Sequence, residues 1–351
     1  MLDLDSGVSR FRGIVALGVA FAASACGRGR QSVERGAFLV VRSTAALLVP
    51  DTALSDRVRP DTLDVFRPTA VRWAEDTLYV SDGGNDRVRV FDEDISAITV
   101  FGERGEGPGE LKFPTGIAAR SGRVAVVDAG NGRVNWYTPD GAYHGEIRLP
   151  SHVRSVDVLD QSHVVIPVGS GGASAFAVVD TSGRESPRGM PVPDFTGLGE
   201  LYPGGGARVP GLSSLITMAG TSVVVVNNMT GVLGVYGPEG NTVAVVSLPT
   251  KLLGQVFEYR RRVDQSFGVA AVSAVYKDVV GLPDGRVLVL LGIPGADAVL
   301  IDVESRSAVL LNAPEGPRGS AVRRASSVAM RGDRLVFVTI DGLAFFRLID
   351  A

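Results

Sequence analysis

One cysteine and three histidines are the conspicuous reactive side chains of this 351-residue chain: Cys26, His144, His152 and His163. So few thiols and imidazoles exclude a disulfide framework and a Cys/His zinc cluster. Carboxylates and amides are arranged more suggestively. Asp82, Asn85 and Arg87 recur 46 residues later as Asp128, Asn131 and Arg133, and Asn227 takes the aspartate's place in a third, more worn copy. Such a set could present oxygen donors and guanidinium groups to a ligand. The same residues also suit a tight turn, in which Asp accepts backbone N–H groups and Asn or Gly tolerates positive φ. A motif that recurs once per repeat favours the turn. The glycine-rich stretch 102–109 lacks the GxxxxGK[ST] order of a phosphate loop, and Lys112 falls outside it. No nucleophile-elbow sequence is present.

The elements that would position these residues follow from the repeat. Thr69 to Thr115, Asp82 to Asp128 and Arg87 to Arg133 align without a gap. Each unit reads as a short apolar run, a Gly turn, a Val-rich strand, a Gly/Asn turn, a third strand, then Pro-Asp-Gly and a fourth. That order predicts an antiparallel meander of four strands. Units begin near residues 68, 114, 153, 213, 276 and 325. Only three strands fit after residue 325: residues 326–331, 334–340 and 343–349. A closed ring leaves no blade edge unpaired, so the missing strand is expected from residues 36–50, where 37–41 and 45–49 are both strand-like. The fold class expected is all-β: a six-bladed β-propeller of four-stranded antiparallel blades, closed by an N-terminal strand that completes the last blade.

Composition agrees with a large folded core, with 45% apolar and 21% charged residues. The 35 basic and 38 acidic residues give a net charge of −3, which offers no basic excess for nucleic acid. At the N-terminus, Arg10 and Arg12 precede an apolar run of small residues that ends at Ala23-Ser24-Ala25, directly before Cys26. The run is shorter than the roughly 20 residues that span a bilayer. The expectations are a signal peptide over 1–25, lipidation of Cys26, a tether over 26–35 and a propeller over 36–351.

The two strong copies, spanning 66–141, resemble NHL repeats. The whole chain resembles the six-bladed, TolB-like propeller lipoproteins of bacteria, and the start of the chain resembles a lipoprotein signal. That resemblance implies an exported protein anchored at the cell envelope by lipid alone, on the periplasmic face or the outer membrane. Enzymes share this architecture. Lyases built on similar repeats bind zinc through His, but the three histidines here fall in two adjacent units. Gluconolactonase-like propellers hold calcium at the channel mouth, which would need carboxylates on first strands that mostly show apolar or small residues. The function expected is therefore non-catalytic binding or scaffolding, without cofactor, of an envelope protein, peptide or glycan. A calcium-dependent hydrolase is the alternative.

Strand parity brings the second-to-third-strand turns and the blade-to-blade links to one face, and with them the two long inserts, 193–211 and 250–272. A rim site on that face would use Asp82, Asn85, Asp128, Asn131 and Asn227, together with Tyr202, Phe257, Tyr259 and Arg261 from the inserts. Residues 251–267 also place Leu252, Val256, Tyr259 and Val263 at helical spacing.

Overall fold

The computed structural model describes residues 36–41, 46–52, 54, 63–149, 153, 155–168, 173–192, 214–227, 230–256, 258, 276–293, 295–316, 319–320 and 322–349. The chain is an all-β propeller, built from six four-stranded antiparallel blades. The first blade runs Pro68–Ala74, Thr77–Asp82, Arg87–Phe91 and Ala97–Phe101. The second runs Pro114–Arg120, Arg123–Asp128, Arg133–Tyr137 and Tyr143–Arg148. Asp157–Val158, His163–Pro167, Phe176–Asp180 and Glu185–Arg188 form the third. The fourth comprises Ser214–Ala219, Ser222–Asn227, Val232–Tyr236 and Thr242–Ser247. The fifth comprises Asp278–Gly281, Val287–Ile293, Ala296–Asp302 and Ser307–Asn312. First strands of successive blades touch one another around the ring, and Ser327–Arg331 of the sixth meets Pro68–Ala74 of the first.

The sixth blade is completed from the other end of the chain. Ser327–Arg331, Arg334–Thr339 and Gly342–Ile349 are followed in the sheet by Ala46–Pro50. That strand lies antiparallel to Gly342–Ile349, with Leu48 opposite Leu348 and Pro50 opposite Phe346. Of the two strand-like N-terminal stretches, the second therefore closes the ring. The first does something the sequence did not announce. Ala37–Phe38 and Val40–Val41 add in parallel to the outer strands of the fourth and fifth blades. Residues 36–50 thus clip three consecutive blade edges.

Six apolar clusters fill the six blade-to-blade contacts. Along Arg123–Asp128, Val124 and Val126 pack toward the first blade while Ala125 and Val127 pack toward the third. A strand buried on both faces needs no polar alternation, hence the unbroken Val runs. The segment over 250–256 is helical, as expected for the first part of 251–267. Leu252, Leu253 and Val256 pack into the cluster between the fourth and fifth blades. Tyr259 and Val263 lie outside the described residues.

Candidate functional site at the channel mouth

The recurring Asp-Asn-Arg set is turn chemistry in both strong copies. Asp82 is fully buried. Its Oδ1 accepts the N–H of Phe66 at 2.7 Å, and its Oδ2 accepts Asn85 Nδ2 at 2.8 Å and Arg87 Nε at 2.9 Å. Asp128 repeats the pattern with the N–H of Lys112 at 2.8 Å, Asn131 Nδ2 at 2.7 Å and Arg133 Nε at 2.9 Å. The glycine between them is required by close approach. Gly84 and Gly130 donate to the carbonyls of Phe66 and Lys112, and a Cβ at either position would lie 2.5–2.6 Å from that oxygen. Each set therefore clamps the link that enters its own blade. In the fourth blade, Asn227 Oδ1 accepts the N–H of Thr230 at 3.2 Å. Asn85→Ala should cost about 1 kcal/mol in denaturant unfolding, the usual net worth of one hydrogen bond, and Asn131→Ala about 2 kcal/mol, because its Nδ2 also donates to the Gly105 carbonyl at 2.9 Å. Unchanged stability in both would contradict the clamp. Tyr202, Phe257, Tyr259, Arg261, His152 and Cys26 lie outside the described residues.

The concave site opens on the other face. A cavity of about 680 Å³ sits at the ring axis, lined by first strands and by the turns between first and second strands. Its wall takes residues from all six blades, among them Arg72, Arg120, Asp157, Thr217, Pro283 and Met330. The first strands are thus more polar than the sequence reading allowed: Asp157 and Asp278 stand at the starts of theirs, and Arg72 and Arg120 lie further along theirs.

Beneath the mouth, side chains tie the blades together. Arg72 of the first blade reaches the fifth, where Nη1 and Nη2 donate to the two carboxylate oxygens of Asp278 at 2.9 and 2.8 Å. The Ser327 hydroxyl of the sixth blade donates to the same carboxylate at 2.6 Å. Asp157 of the third blade accepts the Thr217 hydroxyl at 3.0 Å and the Met218 N–H at 2.7 Å, both from the fourth. Thr217 Oγ1 in turn accepts the N–H of Gly281 in the fifth blade at 2.8 Å. Arg120 of the second blade donates to the carbonyl oxygens of Met218 and Gly220 in the fourth.

Burial opposes the charge of Arg72, but the charge and hydrogen bonds of Asp278 and the charge of Asp157 outweigh it, so its pKa is raised. At Asp157 burial wins and pushes the carboxyl above the ordinary aspartate value, against the pull of the Met218 and Val158 N–H groups, Arg72 and Thr217. The folded state therefore holds this proton more tightly than the unfolded chain does. Its stabilising contribution is complete below the ordinary value of about 3.9 and is lost as pH rises through the raised one. The stability of Asp157→Asn relative to the natural chain should accordingly rise over that window and then level off. A pH-independent difference in urea midpoints would contradict this.

Among the described residues, no three His, Cys, Asp or Glu side chains are grouped closely enough to hold a metal ion. His163 Nδ1 pairs with Asp160 in its own turn at 2.9 Å, and His144 Nε2 lies 3.3 Å from Arg123 Nη2.

A family model described as a 6-bladed beta-propeller matches residues 60–164. Comparison with curated proteins returns no match. Among solved structures, a Bacteroides fragilis NCTC 9343 protein shares 12% identity over 89% of this chain and 98% of its own, with a TM-score of 0.54. Virginiamycin B lyase from Staphylococcus aureus shares 10% identity over 80% of this chain and 95% of its own, with a TM-score of 0.49. A gluconolactonase from Xanthomonas campestris shares 11% over 90% and 99%, with a TM-score of 0.45. The likeness to the Bacteroides fragilis protein is one of fold and assigns no chemistry here.

Proposed function

We propose that this chain is a non-catalytic binding propeller of the bacterial envelope that takes its ligand at the concave channel mouth. The observation that carries the reading is the axial cavity, which has the size of a small-molecule or short-segment site. Its wall is held by hydrogen bonds and ion pairs running between blades, so the ligand meets a preformed surface. In keeping with the N-terminal sequence, the propeller is exported and held at the membrane through lipid on Cys26.

Glycan and peptide arrays probed with the full chain, natural and Arg286→Trp, test the site. Arg286 lines the mouth and bonds to Asp284 within its own turn, so an indole there obstructs the cavity without breaking a blade contact. Binding lost in the variant supports the reading, and binding indifferent to it overturns it. Cleaved ligand whose formation stops with a chelator would favour the calcium-dependent hydrolase instead. Anchoring is tested separately, since Cys26→Ser should move the protein from the membrane to the soluble fraction.

A further inference from the structure

Five arginines line the cavity: Arg72, Arg120, Arg123, Arg286 and Arg331. Three are neutralised by carboxylates. Arg72 pairs with Asp278 at 2.8 Å, Arg286 with Asp284 at 2.7 Å, and Arg331 with Asp76 and Glu93. The other two belong to the second blade and bond to backbone carbonyls and one imidazole among the described residues. Arg120 donates to the carbonyls of Met218 and Gly220. Arg123 donates to the carbonyls of Gln161 and Gly122 at 3.2 Å each and meets the His144 ring. Neither has a carboxylate at ion-pair distance among the described residues, although every other arginine in the wall has one.

The opposite charge is also present, but on other blades. Glu75, exposed at the first blade's lip, and Asp157, in the third, line the cavity without an arginine ion pair among the described residues. A polyanion would be repelled by them, whereas a single negative charge on the second blade's side would not. Tyr79, Pro139, Met218 and Met330 supply carbon-rich wall around the same space. Guanidinium groups suit carboxylates because their planar N–H forks match two oxygens.

We propose that the cavity binds a small organic monocarboxylate. Its carboxylate sits between Arg120 and Arg123, and its apolar body lies against Tyr79 and the two methionines. This rests on the channel mouth being the binding site.

The test uses benzoate as the probe and benzyl alcohol as its neutral counterpart, read by the Nε–Hε resonances of arginine in the full ¹⁵N-labelled chain. Benzoate should shift a small set of these resonances saturably at millimolar concentration, benzyl alcohol at least tenfold more weakly. Arg120→Met and Arg123→Gln should each weaken benzoate at least tenfold, while Arg184→Gln, at an exposed turn of the third blade, should not. If Arg120→Met fails to fold, Arg123→Gln and the natural chain's own titration still decide. No saturable shift, or equal binding in Arg123→Gln, overturns the carboxylate site. Equal binding of benzyl alcohol overturns it too, yet leaves the mouth a binding site. Array ligands indifferent to Arg286→Trp would remove that reading separately.

Discussion

A chain lacking residues 36–50 should fail to give the cooperative unfolding transition of the intact protein. Without Ala46–Pro50, the strand Gly342–Ile349 becomes an unpaired edge and the sixth blade has three strands. The loss extends beyond one sheet. Leu48 is fully buried in the cluster between the fifth and sixth blades, and Ala46 and Leu47 also pair with the fifth blade's outer strand. Asp51, just beyond the strand, accepts Arg347 Nε at 3.2 Å and the N–H of Leu54 at 3.2 Å. Point variants grade the effect. Leu48→Ala should cost about 2–5 kcal/mol, as for other leucines removed from a packed core. Leu47→Ala, next in the strand but 48% exposed, should change stability by no more than about 0.5 kcal/mol. Negligible losses from both would mean that the strand acts through its backbone alone. Normal unfolding of the truncated chain would show that closure is dispensable.

Closure was legible because a shortage of strands at one end is a counting argument, and the repeat made the count. Strands of the second blade were legible for a different reason. Runs such as Val124 to Val127 are buried on both faces, and the turns that bound them carry Asp, Asn and Gly for stated backbone reasons. The same regularity drew attention to Asp82, Asn85 and Arg87, which repeat because the first two blades fix their entering links in the same way. The cavity has no such signature. Its wall is assembled from short pieces of all six blades, and Arg72 lies 206 residues from the Asp278 it holds. Linear spacing cannot show that neighbourhood. A weaker signal was there to be read: Arg72 between Val71 and Trp73, Asp157 between Val156 and Val158, and Asp278 before Val279 are charges set against apolar neighbours in, or at the start of, first strands. A charge in that setting needs a partner, and only another blade can supply it across the axis.

That partnership sets the second large effect. Arg72→Ala should destabilise the chain by about 3 kcal/mol, the lower end for breaking a buried ion pair, because its side chain keeps 19% of its surface. The loss arises chiefly at Asp278, which is left charged with 12% of its side chain exposed. The remaining donors to that carboxylate are Ser327 Oγ at 2.6 Å, Val328 N at 3.0 Å and Val279 N at 2.9 Å. They stabilise the charge without neutralising it. Asp278→Asn should be costly for the converse reason, since Arg72 then keeps Ser327 Oγ and the carbonyls of Val71 and Val328 but loses its ion-pair partner. Replacing both partners by apolar side chains, Arg72→Met with Asp278→Leu, should recover most of the loss, because two desolvated charges disappear together. Urea midpoints of the natural chain, Arg72→Met, Asp278→Leu and the double variant close the cycle. If the double variant is as unstable as the sum of the two single ones, the charges do not act on each other. The worth of the network would then lie in the hydrogen bonds that join the first, fifth and sixth blades. If it recovers, the pair specifies how the blades meet while contributing little net stability, and the mouth above it can change its ligand contacts without opening the ring.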